Sequence, residues 1–137
     1  MKRVLITGVN SYIGNSQKKW LEQHPNSYLV ETISLKDPNW IKHDFSQYDV
    51  IFHVAGKAHS DVGNVSEEVK ALYYRVNKDL TLEVAEKAKE AGVKQFIYMS
   101  SIIVYGNSNP IYKEKVITKD TVPTPANFYG DSKLQAE

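Results

Sequence analysis

Cysteine is missing from this 137-residue chain. That excludes a disulfide framework and any cysteine-ligated metal site, and it suits a reducing cytoplasm. No metal is expected. An excess of one charge is missing too: 17 Lys and Arg face 16 Asp and Glu, a formal net charge of +1. A broad basic face for nucleic acid and an acidic tail are both excluded. Lysine-rich stretches such as Lys87-Ala88-Lys89-Glu90 alternate with acids and read as solvated helix faces. No apolar run is long enough to span a bilayer, and the chain enters a strand at once without an apolar leader. Neither membrane nor export is expected, so Asn64-Val65-Ser66 reads as a chance glycosylation sequon. Repeats, low-complexity tracts and linkers are lacking as well. One domain spanning residues 1–137 follows, and 42% hydrophobic residues give it a real core.

What is present is organised around the start of the chain. Val4-Leu5-Ile6 is a short β-branched run of the kind buried on both faces of a sheet. Thr7-Gly8 breaks it. A helical pattern then runs from Tyr12 to His24, with Ile13, Trp20 and Leu21 on one face, and Pro25 ends it. Strand, glycine turn and helix form the first half of a βαβ unit. Free N–H groups at such a helix start suit a pyrophosphate. A turn of the type Thr-Gly-x-x-Gly-x-x-Gly would place glycine at 8, 11 and 14. Gly8 and Gly14 are there, for the tight turn and for close helix–strand packing, but position 11 is Ser. Ser11 adds a side chain where the pyrophosphate should approach. An ordinary βα turn can carry two glycines as well.

Further strands are expected at Tyr28 to Leu35, Asp49 to Gly56 and Lys94 to Ser100. The longest helical pattern runs from Glu67 to Ala91, with a stripe of Leu72, Val76, Leu80, Val84 and Ala88, and Gly92 closes it. Loops cover 57–66, with Gly63, and 101–127, with Gly106, Pro110, Pro123 and Pro125. A last helix begins near Phe128 and is still running at Glu137. Strands alternating with helices predict an α/β fold with a doubly wound parallel sheet. Ligands of such sheets sit at the C-terminal strand ends, where Gly8, Val54-Ala55-Gly56 and Ser100-Ser101 fall.

Tyr129 and Lys133 are four residues apart, so on a helix they share a face. A phenol has a pKa of about 10 and is a poor base at neutral pH. A nearby ammonium, helped by an oxidised nicotinamide, favours the phenolate, which makes Tyr129 a candidate general acid/base and Lys133 its activator. Ser101 ends the fourth strand, where its hydroxyl could bond the substrate oxygen. The same residues can equally be a helix surface pair and a satisfied strand-end hydroxyl.

Thr7-Gly8-x-x-x-x-x-Gly14, Asp44-Phe45, His53-Val54-Ala55-Gly56, Asn77, Ser100-Ser101-Ile102-Ile103-Val104-Tyr105-Gly106 and Tyr129-x-x-x-Lys133 follow one another along the chain. In that order they resemble the extended short-chain dehydrogenase/reductases, and most of all the NAD-dependent nucleotide-sugar epimerases and dehydratases of the UDP-glucose 4-epimerase type. The resemblance spans the whole chain and implies a Rossmann-type fold. It implies that Gly8, Asn10, Ser11, Tyr12, Ile13 and Gly14 line the pyrophosphate turn. Asp44 and Phe45 lie beside the adenine, the Asp accepting from its amino group. Val54, Ala55, Gly56 and Lys57 run along the phosphate–ribose side. Asn77 holds the active-site backbone from a kink in the long helix. Ser101, Tyr129 and Lys133 are the catalytic set, and Tyr129 and Lys133 also contact the cofactor, Lys133 through the nicotinamide ribose. The implied cofactor is NAD, and the implied partner a nucleotide-sugar.

Two features depart from that pattern. One is Ser11. The other is the end of the second strand, where an acid would accept the ribose 2′-OH of NAD. Ile33-Ser34-Leu35-Lys36 has none and Asp37 comes late, so NADP stays open through Lys36, while Lys36-Asp37-Pro38 reads first as a surface turn. Family members continue past the Tyr-Lys helix into a substrate-binding region. This chain therefore reads as the N-terminal part of such an enzyme, truncated before that region, with weak or no turnover. The unpaired edge of its last strand offers a surface for a homodimer. A dehydratase or a reductase of the same group, or a binding module without chemistry, remains an alternative to the epimerase.

Overall fold

The computed structural model describes residues 1–58, 65–106 and 115–137. Gly63, Asn64 and Pro110 of the expected loops lie outside the described residues. The described residues form two compact units, one of residues 1–56 and 81–99, the other of residues 57–80 and 100–137.

The first unit is a four-stranded parallel sheet, β1 (Lys2–Thr7), β2 (Tyr28–Ile33), β3 (Val50–His53) and β4 (Gln95–Tyr98), in the order β2-β1-β3-β4. β1 is central because Val4, Leu5, Ile6 and Thr7 are buried on both faces. The strands are shorter than the apolar runs suggested. β2 ends at Ile33, and β3 gives way to turn before Val54.

Helix α1 (Tyr12–Glu22) covers one face of the sheet through Leu21, which joins Val4, Ile6 and Val50 in the core. Ile13 and Trp20, expected beside Leu21, are 44% and 51% exposed, and Gly14 is buried instead. A Cβ at Gly14 would lie 2.5 Å from Ser11 Oγ and 3.3 Å from Ile6 Cγ2, so α1 lies close over β1 at this position only with glycine.

On the other crossover, a 3₁₀ turn (Pro38–Lys42) capped by Asp37 buries Trp40 against Phe45. The Lys87 ammonium lies 4.9 Å over the Phe45 ring and donates to Ile41 O at 2.7 Å. Lys87 belongs to α3 (Leu80–Glu90), which ends at Gly92 with φ of +73°. Gly92 N bonds Lys89 O and Val93 N bonds Ala88 O, the paired hydrogen bonds of a Schellman stop.

The second unit holds α2 (Glu67–Tyr74), a π-helical turn (Arg75–Asp79), a 3₁₀ turn (Ile102–Tyr105) and α4 (Phe128–Leu134). α4 ends at Leu134 rather than running on to Glu137. The long helical pattern is thus α2, a π turn and α3 in succession. Its buried stripe is Tyr73, Asn77, Thr81, Val84 and Ala88, and Leu72 is exposed. The stripe keeps i+4 steps from Tyr73 through the π turn to Thr81, one position after the Leu72, Val76 and Leu80 expected to be buried. Among the described residues, no helix is long and apolar enough to cross a membrane.

Candidate active site

The glycine turn of the first unit is fixed by close backbone contact. Gly8 has φ of +91°, and a Cβ on it would lie 3.0 Å from Ala55 N. Only glycine fits that conformation and that approach together. Asn10 also sits at positive φ, +68°, which Asn tolerates better than most residues. Ser11 does not project into the space above the turn. Its Oγ folds back and accepts from Gly14 N at 2.9 Å, capping α1. Gly14 must stay small for the same reason, because a Cβ there would be 2.5 Å from Ser11 Oγ and 3.1 Å from Val54 Cγ2. Ser11 N bonds Gly8 O. The first-turn N–H groups of Tyr12 and Ile13 are left for an anion, and no acid stands in that turn. Glycine at 11 would free a third donor, so the Ser trades ligand contacts for helix stability.

A buried bridge supports the turn. Thr7 Oγ1 lies 2.8 Å from His53 Nδ1, and His53 Nε2 lies 3.0 Å from Thr81 Oγ1. Thr7 Oγ1 also accepts from Ala55 N at 3.4 Å. Each ring nitrogen is thus paired with a threonine hydroxyl, one as donor and the other as acceptor. His53 is fully buried between Phe96 and Tyr98, stacked on both. Sequence reasoning quoted His53 without giving it a role. The signal was a histidine inside an apolar strand with Thr at the end of the neighbouring one.

Of the other expected cofactor residues in this unit, Val54 and Ala55 are half-buried and Gly56 is exposed after β3. Asp44 is exposed, and its Oδ1 accepts from Ser46 N and Oγ, which hold its carboxyl below the usual range. The Phe45 side chain is in the core, so only its backbone can face a ligand.

The second unit holds the remaining residues expected at the site. Asn77 lies in the π turn, fully buried. Its Oδ1 accepts from Lys57 N at 2.7 Å, and its Nδ2 donates to Lys57 O and to Ser132 Oγ, both at 3.0 Å. Ser132 Oγ in turn donates to Tyr129 O at 2.8 Å. One amide therefore ties the segment after β3 to the helix that carries Tyr129 and Lys133. The π turn widens the helix where that amide has to reach both. The Lys57 ammonium rests 5.3 Å over the Tyr73 ring, whose edges meet Phe128 and Tyr129.

α4 starts at an Asn127 cap, with Gly130 N donating to Asn127 Oδ1. It packs on the 3₁₀ turn after Ser101, and a Cβ at Gly130 would lie 2.9 Å from Ile103 O. Ser101 Oγ accepts weakly from Ile103 N at 3.4 Å, which leaves its hydroxyl hydrogen for another acceptor. Tyr129 is half-buried. Lys133 is buried, and burial pushes its ammonium below the ordinary lysine value. Tyr74 OH donates to Asp131 at 2.6 Å, a second tie between α2 and α4 that sequence reasoning missed. Among the described residues no group of three or more His, Asp or Glu is placed to hold a metal ion.

A parallel sheet in the order β2-β1-β3-β4, with a glycine turn after its first strand, is a Rossmann-type fold. Residues 4–137 match the model of the NAD dependent epimerase/dehydratase family, and the chain belongs to that family. Methionine adenosyltransferase 2 subunit beta of Bos taurus is 31% identical over 99% of this chain and 42% of its own length. A dTDP-4-dehydrorhamnose reductase from Clostridium acetobutylicum superposes with a TM-score of 0.77 at 22% identity, over 98% of this chain and 47% of its own. A UDP-glucuronic acid 4-epimerase from Bacillus cereus, in complex with UDP-glucuronic acid and NAD, gives a TM-score of 0.77 at 20% identity, over 98% and 49%. The chain spans less than half the length of each of these relatives.

Proposed function

We propose that this chain is the cofactor-binding N-terminal portion of a nucleotide-sugar enzyme, in its finer form an epimerase of the UDP-glucose 4-epimerase type. The observation that carries the reading is in the second unit. The Ser101 turn and the Tyr129-Lys133 helix pack so closely that position 130 has no room for a side chain. The turn of Gly8, Asn10, Ser11, Tyr12, Ile13 and Gly14 holds the pyrophosphate through the Tyr12 and Ile13 N–H groups. Asp44 and the Phe45 backbone meet the adenine, and Val54, Ala55, Gly56 and Lys57 line the phosphate–ribose side. Asn77 fixes the Lys57 backbone. A bound nicotinamide supplies the hydride acceptor and donor.

Tyr129 takes the proton of a sugar hydroxyl and later returns it. Ser101 donates to the same oxygen and orients it. Lys133 holds the nicotinamide ribose and favours negative charge on the phenol oxygen, and its burial strengthens that interaction by keeping water away. The substrate is a nucleotide-sugar, the cofactor a nicotinamide dinucleotide, and the setting cytoplasmic. A homodimer through the outer side of β4 completes the proposal, and a monomer in concentrated size-exclusion runs argues against that element.

The test is conversion of a nucleotide-sugar to its epimer in the presence of NAD(P), read from the separated sugar products, with reduced nicotinamide formed only within each turnover because the hydride returns to the sugar. Wild type is expected to give slow turnover, and Tyr129→Phe none with cofactor binding kept. Turnover unchanged in Tyr129→Phe contradicts the assignment. A second reading, a cofactor-binding subunit without chemistry, draws on the relative named as a methionine adenosyltransferase subunit. Binding without any sugar conversion favours it. Dehydratase or reductase chemistry in place of epimerisation appears in the same assay as a different sugar product.

A further inference from the structure

We propose that Tyr73 is a positioning residue for proton transfer at Tyr129, holding the phenol ring and the Lys57 side chain in place from the buried side. The inference rests on the reading of Tyr129 as acid and base, and names what aims it. Tyr73 lies near the end of α2 and is fully buried. Its ring meets the Phe128 ring at a centroid distance of 4.9 Å and an angle of 78°. It meets the Tyr129 ring at 5.9 Å and 63°. The Lys57 ammonium lies 5.3 Å over the same ring. Edge-to-face pairs and cation–ring contacts are directional, so they fix orientation as well as bury area.

Tyr73 and Asn77 are four residues apart in one buried stripe, and they grip the same two partners. Asn77 takes the backbone N–H and carbonyl of Lys57 and, through Ser132, the carbonyl of Tyr129. Tyr73 takes the side chains of those same two residues. Backbone bonds fix where a Cα sits and leave the side-chain torsions open. Tyr129 is half-buried, so its ring is held only on its protein side. A general acid or base works within about 2.6–3.2 Å of the proton it moves. A misplacement of about 1 Å costs about a hundredfold in rate. The wall that Tyr73 supplies therefore selects the phenol's orientation before a sugar arrives. A core aromatic that serves stability alone has no need to touch the reacting side chain and the neighbouring cation together. All three contacts of Tyr73 are made by its ring, so phenylalanine can replace it and an aliphatic residue cannot.

The experiment compares wild type, Tyr73→Phe and Tyr73→Leu in nucleotide-sugar conversion at saturating NAD(P). Values of kcat and of KM for the sugar nucleotide are measured separately, and circular dichroism and urea midpoints check the fold. The expected result is a kcat lower by about 10–100-fold in Tyr73→Leu, with KM within about twofold of wild type. Tyr73→Phe is expected to keep most of the wild-type kcat. A lowered urea midpoint in Tyr73→Leu with kcat per folded molecule unchanged overturns the inference and leaves the Tyr129 assignment standing. Equal loss of kcat in Tyr73→Phe and Tyr73→Leu also overturns it, because the ring is then not what matters. NMR of the chain with isotope-labelled tyrosine rings gives a readout independent of turnover. The Tyr129 resonances are assigned by their loss in Tyr129→Phe. They are expected to be displaced by the neighbouring rings in wild type and Tyr73→Phe, and to return towards free-tyrosine positions in Tyr73→Leu. Undisplaced Tyr129 resonances in wild type overturn the inference even where Tyr73→Leu does not fold. Absence of sugar conversion in wild type overturns the reading of Tyr129, and this role with it.

Discussion

Replacing Asn77 by Ala probes the joint on which the second unit turns. The amide makes hydrogen bonds to Lys57 N, Lys57 O and Ser132 Oγ at 2.7, 3.0 and 3.0 Å, and the residue is fully buried. Each such bond contributes about 1 kcal/mol net, and an orphaned buried partner adds to the loss. The expected cost is therefore about 3–4 kcal/mol. That is a large share of the roughly 5–15 kcal/mol that holds a domain of this kind folded. It corresponds to a fall in Tm of about 10 °C for a chain of this size. Urea unfolding followed by circular dichroism measures it directly.

Two companion variants separate hydrogen bonding from lost volume. Ser132→Ala removes the Asn77 Nδ2–Ser132 Oγ hydrogen bond and costs about 1 kcal/mol. Asn77→Asp keeps the volume but sets a carboxylate against the Lys57 carbonyl, and its cost approaches that of the Ala variant. A loss under about 1 kcal/mol in Asn77→Ala, or a neutral Asn77→Asp, refutes the reasoning.

Gly130→Ala gains about 1 kcal/mol of helix propensity but forces a Cβ to within 2.9 Å of Ile103 O, so urea titration is expected to show net destabilisation, and a stabilised variant denies the close approach. His53→Leu removes the imidazole's hydrogen bonds to the Thr7 and Thr81 hydroxyls and costs about 1–3 kcal/mol, and an unchanged urea midpoint removes the bridge from the account. Burial first, and then the Asp131 carboxylate, push the Tyr74 phenol up from 10.0 to about 12. A raised folded value means the contribution is complete below the unfolded pKa and is lost as pH climbs from 10.0 towards about 12. Tyr74→Phe should flatten stability over that window, and a wild-type curve already flat there counts against the Tyr74–Asp131 pair.

Much of the fold was legible because it rests on local patterns. Val4-Leu5-Ile6 and Val50-Ile51 announce buried strands, Thr7-Gly8 the turn and Gly92 the helix stop, and the helical pattern near Phe128 marks the start of α4. The errors lie where tertiary contacts override a local pattern. Ile13 and Trp20 are apolar on an amphipathic helix, yet the sheet meets α1 through Gly14 and Leu21. The i+4 reading of Leu72, Val76 and Leu80 missed the stripe by one residue, because polar Asn77 and Thr81 are turned inward to serve buried hydrogen bonds. Ser11 looked like an obstacle to a ligand and is a helix cap, a choice made by a rotamer that sequence does not display. Tyr129 and Lys133 were singled out by their spacing and Ser101 by its place at a strand end. The residues that support the site, Ser132, Tyr74 and His53, have partners 28 to 57 positions away, which no local pattern reveals.

The central claim, that the Gly8–Gly14 turn holds a nicotinamide dinucleotide, is tested most directly by thermal unfolding of this chain with and without millimolar NAD and NADP. A ligand that binds only the folded state at a hundredfold excess over its Kd adds about 2.7 kcal/mol, which raises the midpoint by several degrees. The account predicts such a rise with at least one of the two dinucleotides. An unchanged midpoint with both contradicts it.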